Sequence, residues 1–246
     1  DSRRDVVVVT AQKREETVQD IGIAVTALSA ETREQIGVQT LTDLTNFAPG
    51  LTFDVATDRI GIRGVNRNSN SFGVRTGVSN YVDGVYYPSS IVAIASRRPI
   101  MVERTEVVRG PQGTLYGRDS IGGAINIITR APGSEETSRF TLEAGSRGRW
   151  GGNLYTNQRL TDNWSVSATG AYTRRDGLGE FVNLPNADVE VGELEEIATR
   201  VGVRWAPSDR FSLLINADAN QGDGGLRPYR TLIDEVPNGG VYGAGY

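Results

Sequence analysis

The chain has 246 residues, a formal net charge of -4 at pH 7, no cysteine and no histidine. This length allows one or two domains with a sizeable core, and the mixed charges contain no basic patch that would favour nucleic-acid binding. Without cysteine or histidine there is no disulfide framework, no zinc site of the common types and none of the usual catalytic triads or dyads. The composition therefore favours a protein that is not an enzyme and carries no cofactor.

The distribution of apolar residues favours β structure. Hydrophobic residues make up 38% of the chain and glycine reaches 30 residues, which suits a β protein with apolar residues on alternate positions. No run approaches the roughly 20 apolar residues of a membrane helix, so we expect the chain to cross a membrane as strands or not at all. The first residues, Asp1 to Arg4, carry no secretory signal, which predicts a processed form.

The chain begins with a short strand-forming segment, DVVVVT at residues 5–10, followed by a charged stretch at residues 12–16. An apolar run on a polar tether is typical of a segment that adds as a strand to the sheet edge of a partner. The alternative is an ordinary first strand of the domain that follows. The residues by themselves favour this alternative.

The next stretch predicts a strand and two short helices. Residues 21–26 alternate and predict a strand, after which Ser29 is the expected N-cap of a helix over AETREQIG that ends at Gly37. A second helix, capped by Thr40 or Thr42, ends at Pro49-Gly50. We expect it to turn three apolar residues inward: Leu41, Leu44 and Phe47.

Residues 51–54 and 59–63 predict two strands, and residues 66–77 predict a polar loop rich in asparagine, serine and glycine. Residues 78–86 predict a further strand that is interrupted by a hairpin turn at Asp83-Gly84.

The most informative stretch is Val102 to Thr129, VERTEVVRGPQGTLYGRDSIGGAINIIT. Alternation over residues 102–109 predicts a strand, Gly110-Pro111 ends it, the following glycines predict tight turns, and residues 124–129 predict a buried strand. A phosphate loop would need Gly-Lys-Ser/Thr, and a dinucleotide fingerprint would need the GxGxxG spacing. Both are absent, so nucleotide binding is not supported.

Several motifs together resemble the plug domain of TonB-dependent outer-membrane receptors. In the stretch just described they are Arg109-Gly110-Pro111, Leu115-Tyr116-Gly117 and the run from Gly122 to Thr129. Further motifs occur in the same order: VVVVTAQKREE at 6–16, Asp43-Leu44 with Pro49-Gly50-Leu51, IGIRG at 60–64 and YVDGV at 81–85. Motifs in the correct order over residues 5–130 are far more specific than any single glycine pattern.

This resemblance implies an α+β plug domain inside a transmembrane β-barrel. It implies a receptor that binds a scarce nutrient, such as a siderophore, outside the cell and transports it into the periplasm when the energising protein TonB pulls on an N-terminal TonB box. By position, the box comprises Val6, Val7, Val8, Val9, Thr10 and Ala11.

The resemblance also implies roles for individual plug residues. Arg63 and Arg109 would pair with barrel glutamates and hold the plug inside. The loop after Arg63 would form the floor of the ligand site, with polar and apolar contacts from Arg67, Asn68, Asn70, Phe72 and Arg75. An exposed polar loop that binds nothing is the alternative.

Beyond residue 133 the pattern changes to strands alone. Alternating segments occur at 139–145, 150–160, 163–174, 195–205 and 210–220, each near the roughly 9 to 11 residues of a tilted membrane strand. Gln158 and Leu214 break the alternation. The apolar sets contain aromatic residues that we expect at one, periplasmic end of the meander as a girdle: Phe140, Trp164, Trp205 and Phe211. The alternative is a soluble β-sandwich with one wet face.

The sequence thus predicts an N-terminal segment at 1–16, a plug domain at 17–133 and the first five or so strands of an antiparallel barrel at 134–246. Plugged transporter barrels have about 22 strands, so we expect a longer chain in a Gram-negative outer membrane, with the plug and box facing the periplasm. The expected partners are TonB, outer-membrane lipid and a small nutrient. The competing function is a non-transport periplasmic module that docks a protein by strand addition.

Overall fold

The computed structural model describes residues 8–10, 16–17, 22–38, 41–54, 59–66, 77–87, 101–177 and 192–224. The strands of the first half are β1 (Val8–Val9), β2 (Glu16–Thr17), β3 (Ala24–Ser29), β4 (Leu51–Asp54), β5 (Arg59–Ile62), β6 (Val78–Val82), β7 (Val85–Tyr86), β8 (Val102–Arg109) and β9 (Gly123–Thr129). The helices are α1 (Ala30–Gln35), α2 (Leu41–Leu44) and α3 (Gly113–Tyr116). The second half contains β10 (Thr137–Ala144), β11 (Trp150–Arg159), β12 (Trp164–Arg175), β13 (Leu194–Ser208) and β14 (Phe211–Gly224).

The first half is organised around a five-stranded sheet with the order β3-β8-β9-β6-β7. Strand β8 is antiparallel to both of its neighbours, and β9 runs parallel to β6. Because β8 and β9 are central and covered on both faces, apolar side chains from both are fully buried, among them Val107 and Ile125. Two-stranded sheets, β1 with β2 and β4 with β5, complete this α+β domain.

Local turn and cap signals are confirmed. The Ser29 hydroxyl accepts a hydrogen bond from the Thr32 backbone N–H at 3.1 Å, as an N-cap does, and Gly37 ends the first helix with φ +73°. The predicted hairpin turn has Asp83 at φ 49° and Gly84 at φ 80°. Two successive residues of positive φ are what a type I′ turn requires.

The prediction that Phe47 faces inward is wrong. Leu44 is 1% exposed, whereas Phe47 is 41% exposed. The helix α2 ends at Leu44, so Phe47 lies in the turn that follows. The helical spacing that would carry it to the face of Leu44 no longer applies there.

The second half is a five-stranded antiparallel meander in which β10 to β14 pair in chain order. All five predicted strands are present. Strands β13 and β14 are longer than predicted because their pairing continues beyond the apolar run, as far as Leu194 opposite Gly224. Within the described residues, no helix is long and apolar enough to cross a bilayer.

The meander is polar on its covered face and apolar on its open face. Ser167 is 1% exposed, whereas Val201 on the neighbouring strand is 49% exposed. The polar face lies against the first domain, with contacts that include Arg139 to Glu34 and Arg200 to Asp83. A soluble sandwich would bury the apolar face and wet the polar one, so this arrangement favours strands of a membrane barrel.

Three of the four predicted girdle aromatics lie together at one end of the meander. Trp164 stacks on Trp205 with ring centroids 5.8 Å apart, and Trp205 meets the edge of Phe211 at 5.7 Å. The prediction for Phe140 is wrong. It lies opposite Leu154, which lies opposite Gly170 in the middle of the meander.

The cause of the error at Phe140 is the register of its strand. Strand β10 begins opposite Asn157 and not at the level of Trp164. Sequence position alone does not show such an offset. A further aromatic pair, not predicted from the sequence, lies at the other end of the meander. It joins Trp150 and Tyr172, whose ring centroids are 4.8 Å apart.

Candidate functional site

The N-terminal segment is attached to the plug sheet through a buried carboxylate. Strand β1 pairs with β2, and the side chain of Val9 is fully buried. The next residue, Thr10, donates its backbone N–H to Glu106 Oε1 at 2.8 Å and its hydroxyl to the same oxygen at 3.2 Å. Strand β8 therefore supplies the acceptor that fixes the segment predicted as the TonB box.

Glu106 has a side chain that is 0% exposed, and it accepts hydrogen bonds from three residues. Besides Thr10, Arg104 donates its Nε to Oε1 at 2.9 Å, and Asn126 on β9 donates its amide to Oε2 at 3.2 Å. Arg104 also donates from Nη2 to the Thr10 hydroxyl at 3.2 Å. A buried carboxylate needs such partners, so removal of the N-terminal segment leaves Glu106 short of two donors.

The two predicted plug arginines lie close to one glycine. Arg63 directly follows β5 at φ 52°, and its guanidinium Nη1 is 3.4 Å from the point where a Cβ on Gly110 would stand. Arg109 directly precedes that glycine, and its buried Nε has no hydrogen-bond partner among the described residues. Gly110 has φ +101°, so a larger residue would be strained and would press on Arg63. Pairing of these arginines with barrel glutamates stays a prediction.

The predicted ligand loop lies outside the described residues, since Arg67, Asn68, Asn70, Phe72 and Arg75 fall in the gap between 66 and 77. The same holds for Val6, Val7 and Ala11 of the predicted TonB box. The backbone of Val8 is described through its pairing with Thr17.

A tyrosine cluster fixes the turns after β8 to the β6–β7 hairpin. The Tyr81 hydroxyl donates to the Tyr116 carbonyl oxygen at 2.7 Å, and the Tyr86 hydroxyl donates to Asp119 Oδ2 at 2.8 Å. Burial raises the pKa of Tyr116 to about 12, with a further contribution from the negative charge of Glu106. Burial also raises the pKa of Tyr81. The phenols of Tyr81 and Tyr116 therefore stay neutral at physiological pH.

A cavity of about 360 Å³ separates helix α1 from the polar face of β10 to β12. Its lining includes Arg33, Arg130 and Arg139. Burial lowers the pKa of Arg33, and the charge of Asp43 partly offsets this. No group of three or more acidic residues within the described ranges is placed to hold a metal ion.

The junction between the two halves is held by Asn157 on β11. Its amide oxygen accepts from the Gly133 backbone N–H at 2.6 Å, and its amide nitrogen donates to the Ala131 carbonyl oxygen at 3.1 Å. The sequence predicts no functional contact for Asn157, Glu106 or Arg200, and for Asp83 it predicts only the hairpin turn. A signal existed at Glu106, since a charged residue among the apolar residues of a predicted strand needs a partner once the strand is buried.

The chain is similar to a known domain family and to known outer-membrane transporters. Residues 17–124 match the TonB-dependent Receptor Plug Domain family. The chain is 31% identical to the vitamin B12 transporter BtuB of Vibrio vulnificus (strain CMCP6), over 97% of this chain and 37% of that protein. It is 22% identical to the ferrichrome outer membrane transporter/phage receptor of Escherichia coli (strain K12), over 94% of this chain and 30% of that protein.

Solved structures of receptors share the fold. The ferric yersiniabactin uptake receptor FyuA from Yersinia pestis is 26% identical with a TM-score of 0.65, over 81% of this chain and 32% of that one. The pyoverdine outer membrane receptor FpvA from Pseudomonas aeruginosa PAO1 is 19% identical with a TM-score of 0.67, over 88% of this chain and 30% of that one. The chain spans about a third of the length of these relatives. All four are named as transporters or receptors.

Proposed function

Since residues 17–124 are the plug domain of a TonB-dependent receptor, we propose that this protein binds a scarce nutrient at the surface of a Gram-negative outer membrane and transports it actively into the periplasm. Strands β10 to β14 would be the first strands of a barrel of about 22, and TonB would supply the force. The relatives named for vitamin B12, ferrichrome and ferric yersiniabactin support a cargo of the iron-chelate or cobalamin type.

The observation that carries this proposal is the polarity of the two faces of the meander. Serine, threonine and asparagine side chains are buried on the face that lies against the plug, and leucine, valine and tryptophan side chains are exposed on the other face. Lipid suits that exposed face, and a plug suits the polar one. A periplasmic module that only docks a protein partner would leave the apolar face in water. The geometry therefore favours the transporter over that second function.

Uptake in cells with and without TonB tests the proposal. We expect cells that carry the full-length protein to accumulate at least one member of a panel of ferric siderophores and vitamin B12, and to lose this accumulation when TonB is deleted. Binding of the same compound at the cell surface should persist without TonB. Equal accumulation in both strains would contradict active transport.

Docking of the N-terminal segment on Glu106 supports a role for Thr10 in holding the TonB box until it is needed. Replacing Thr10 by valine removes a hydroxyl that contacts both Glu106 and Arg104 and keeps the side-chain shape. Because hydrogen bonds to charged groups contribute about 1.5 to 3 kcal/mol, we expect the segment to detach at least roughly tenfold more often.

Detachment can be followed with a spin label, because residues 1–246 contain no cysteine and any cysteine elsewhere in the full-length receptor can be replaced by serine. A single cysteine in place of Ser2, labelled with a nitroxide, should give a larger mobile fraction in the Thr10→Val variant of the full-length receptor. Thr141→Val is the matched control, since Thr141 lies on β10 and is not among the hydrogen-bond partners of Thr10, Glu106 and Arg104. Identical spectra for Thr10→Val and the unmodified receptor would show that the contact with Glu106 does not hold the segment.

The loop after β5 is the proposed floor of the ligand site. If Arg67 and Phe72 contact cargo, replacing both by alanine should weaken binding at least tenfold, which corresponds to about 1.4 kcal/mol. Equilibrium binding to the full-length receptor measures this effect, and the amount of folded barrel should not change. Unchanged affinity would remove this loop from the site.

A further inference from the structure

Three charged groups meet where the plug faces the middle of the meander. Arg200 on β13 contacts Asp83 through Nη2 and Asp218 on β14 through Nη1, the latter at 3.0 Å. The arginine side chain is 8% exposed, against 26% for Asp83 and 40% for Asp218. A guanidinium so deeply buried depends on both carboxylates for its hydrogen bonds.

Asp83 is a rigid partner because the plug fixes it from several directions. It lies in the β6–β7 hairpin turn at φ 49°, and its backbone N–H donates to the Ile127 carbonyl oxygen at 2.9 Å. Its carboxylate also accepts from the backbone N–H and the hydroxyl of Thr129, both at 2.8 Å. Thr129 is the last residue of β9. One carboxylate therefore joins the hairpin, the end of β9 and the meander.

The positive and negative partners of this ion pair are placed in the reverse order from the pairs implied for Arg63 and Arg109. Here the plug supplies the carboxylate, and the wall of the meander supplies the arginine. Asp83 lies in the β6–β7 turn, whereas Arg63 follows β5 and Arg109 ends β8. The contact between Asp83 and Arg200 therefore does not depend on which residues Arg63 and Arg109 contact.

A second ion pair between the two halves allows a comparison. Arg139 on β10 contacts Glu34 of α1 at 2.8 Å, but these side chains are 55% and 68% exposed. Exposed pairs contribute little because solvent screens them, whereas loss of one partner from a buried pair leaves an uncompensated charge. The two contacts have the same chemistry and differ in burial.

We propose that Arg200 is a plug-positioning residue, which anchors the β6–β7 hairpin and the end of β9 to the barrel wall through Asp83. The inference rests on the proposed function, because β13 and β14 form a wall around the plug only if the meander belongs to a barrel. Asp218 orients the guanidinium from the neighbouring strand. Without the anchor, the plug is held less firmly inside the barrel and opens a path for ions more easily.

Ion conductance of the full-length receptor in a planar lipid bilayer tests the anchor. We expect the seated plug to block current, and urea to release the plug at concentrations at which the hydrogen-bonded barrel stays folded. We expect Arg200→Ala to conduct at a urea concentration about 1 M lower than the unmodified receptor. Arg139→Ala, the matched control, should conduct at the same concentration as the unmodified receptor.

Two further variants separate positioning from a general loss of folding. Arg200→Gln keeps most of the side-chain volume and should also open early, while its heat-modifiable mobility on a gel shows an intact barrel. Asp83→Asn removes the charge that faces Arg200 and keeps an oxygen for the Thr129 backbone N–H. If Arg200 acts through Asp83, the urea shift of the double variant Asp83→Asn with Arg200→Ala should be smaller than the sum of the shifts of the two single variants.

The outcomes separate the anchor from the proposed function. The anchor would be overturned if the urea concentration at which the double variant conducts were lowered by the sum of the two single shifts. It would also be overturned if Arg139→Ala lowered that concentration as much as Arg200→Ala does. An unchanged urea dependence in both Arg200 variants of a receptor that inserts and is closed would overturn it as well. Failure of the unmodified protein to insert into the bilayer would overturn the proposed function itself, and the anchor with it.

Discussion

Replacing Val201 by arginine is expected to destabilise the full-length protein in lipid by about 2 to 4 kcal/mol, the cost of a cation near the bilayer midplane on the outer face of a barrel. Val201 is half-exposed on the apolar face and lies opposite Ala168 and Ala217, in the middle of the meander. Reversible unfolding by denaturant in vesicles of defined composition measures the change in the free energy of unfolding.

Arginine substitutions at two further positions test whether the loss of stability depends on depth in the membrane and on the face of the sheet. Leu213 shares the apolar face but lies opposite Trp205, at the aromatic end, where the same charge should cost only about 0 to 1 kcal/mol. Asn216 is exposed on the opposite face of the same strand and should tolerate arginine. Equal costs at all three positions would favour a soluble sandwich over a membrane wall.

The strands of the meander were predictable because their signal is local. Each strand alternates apolar and polar residues along itself, and one lipid-facing side imposes that period. The helix cap at Ser29 and the turn at Asp83 are equally local, since they depend on a few successive residues. Phe140 shows the limit of this information. Its distance from the girdle depends on the register between strands, which cross-strand pairing sets.

The candidate site was only partly predictable for a related reason. Thr10 and Glu106 are separated by 96 residues along the chain, and Asp83 and Arg200 by 117. Contacts at such separation leave no periodic trace in a single sequence. Family resemblance predicts a TonB box and two plug arginines, because motif order carries that information. It contained no indication that a carboxylate of β8 accepts the N-terminal segment.

Replacing Val8 by proline is expected to reduce uptake to the level of cells that lack TonB, while binding of cargo from outside stays near normal. Strand addition to a partner derives its affinity mainly from main-chain hydrogen bonds, and proline removes one donor and restricts the extended pairing. In the structure Val8 pairs with Thr17 in a sheet of two short strands. Parallel assays of cargo accumulation and surface binding in the same cells check both parts of the expectation.

The Val8→Pro experiment also tests the β1–β2 pair, because the backbone that TonB would bind is already paired with residues 16 and 17. Capture would require the segment to leave Thr17, and Thr10 to leave Glu106. Val8→Thr retains both the backbone donor and the β-branched shape, so this control should transport normally. If Val8→Pro lowers cargo binding as much as uptake, the segment is a structural strand of the plug and its pairing with TonB is excluded. If uptake alone is lost, the main chain at residue 8 is what the energising protein holds.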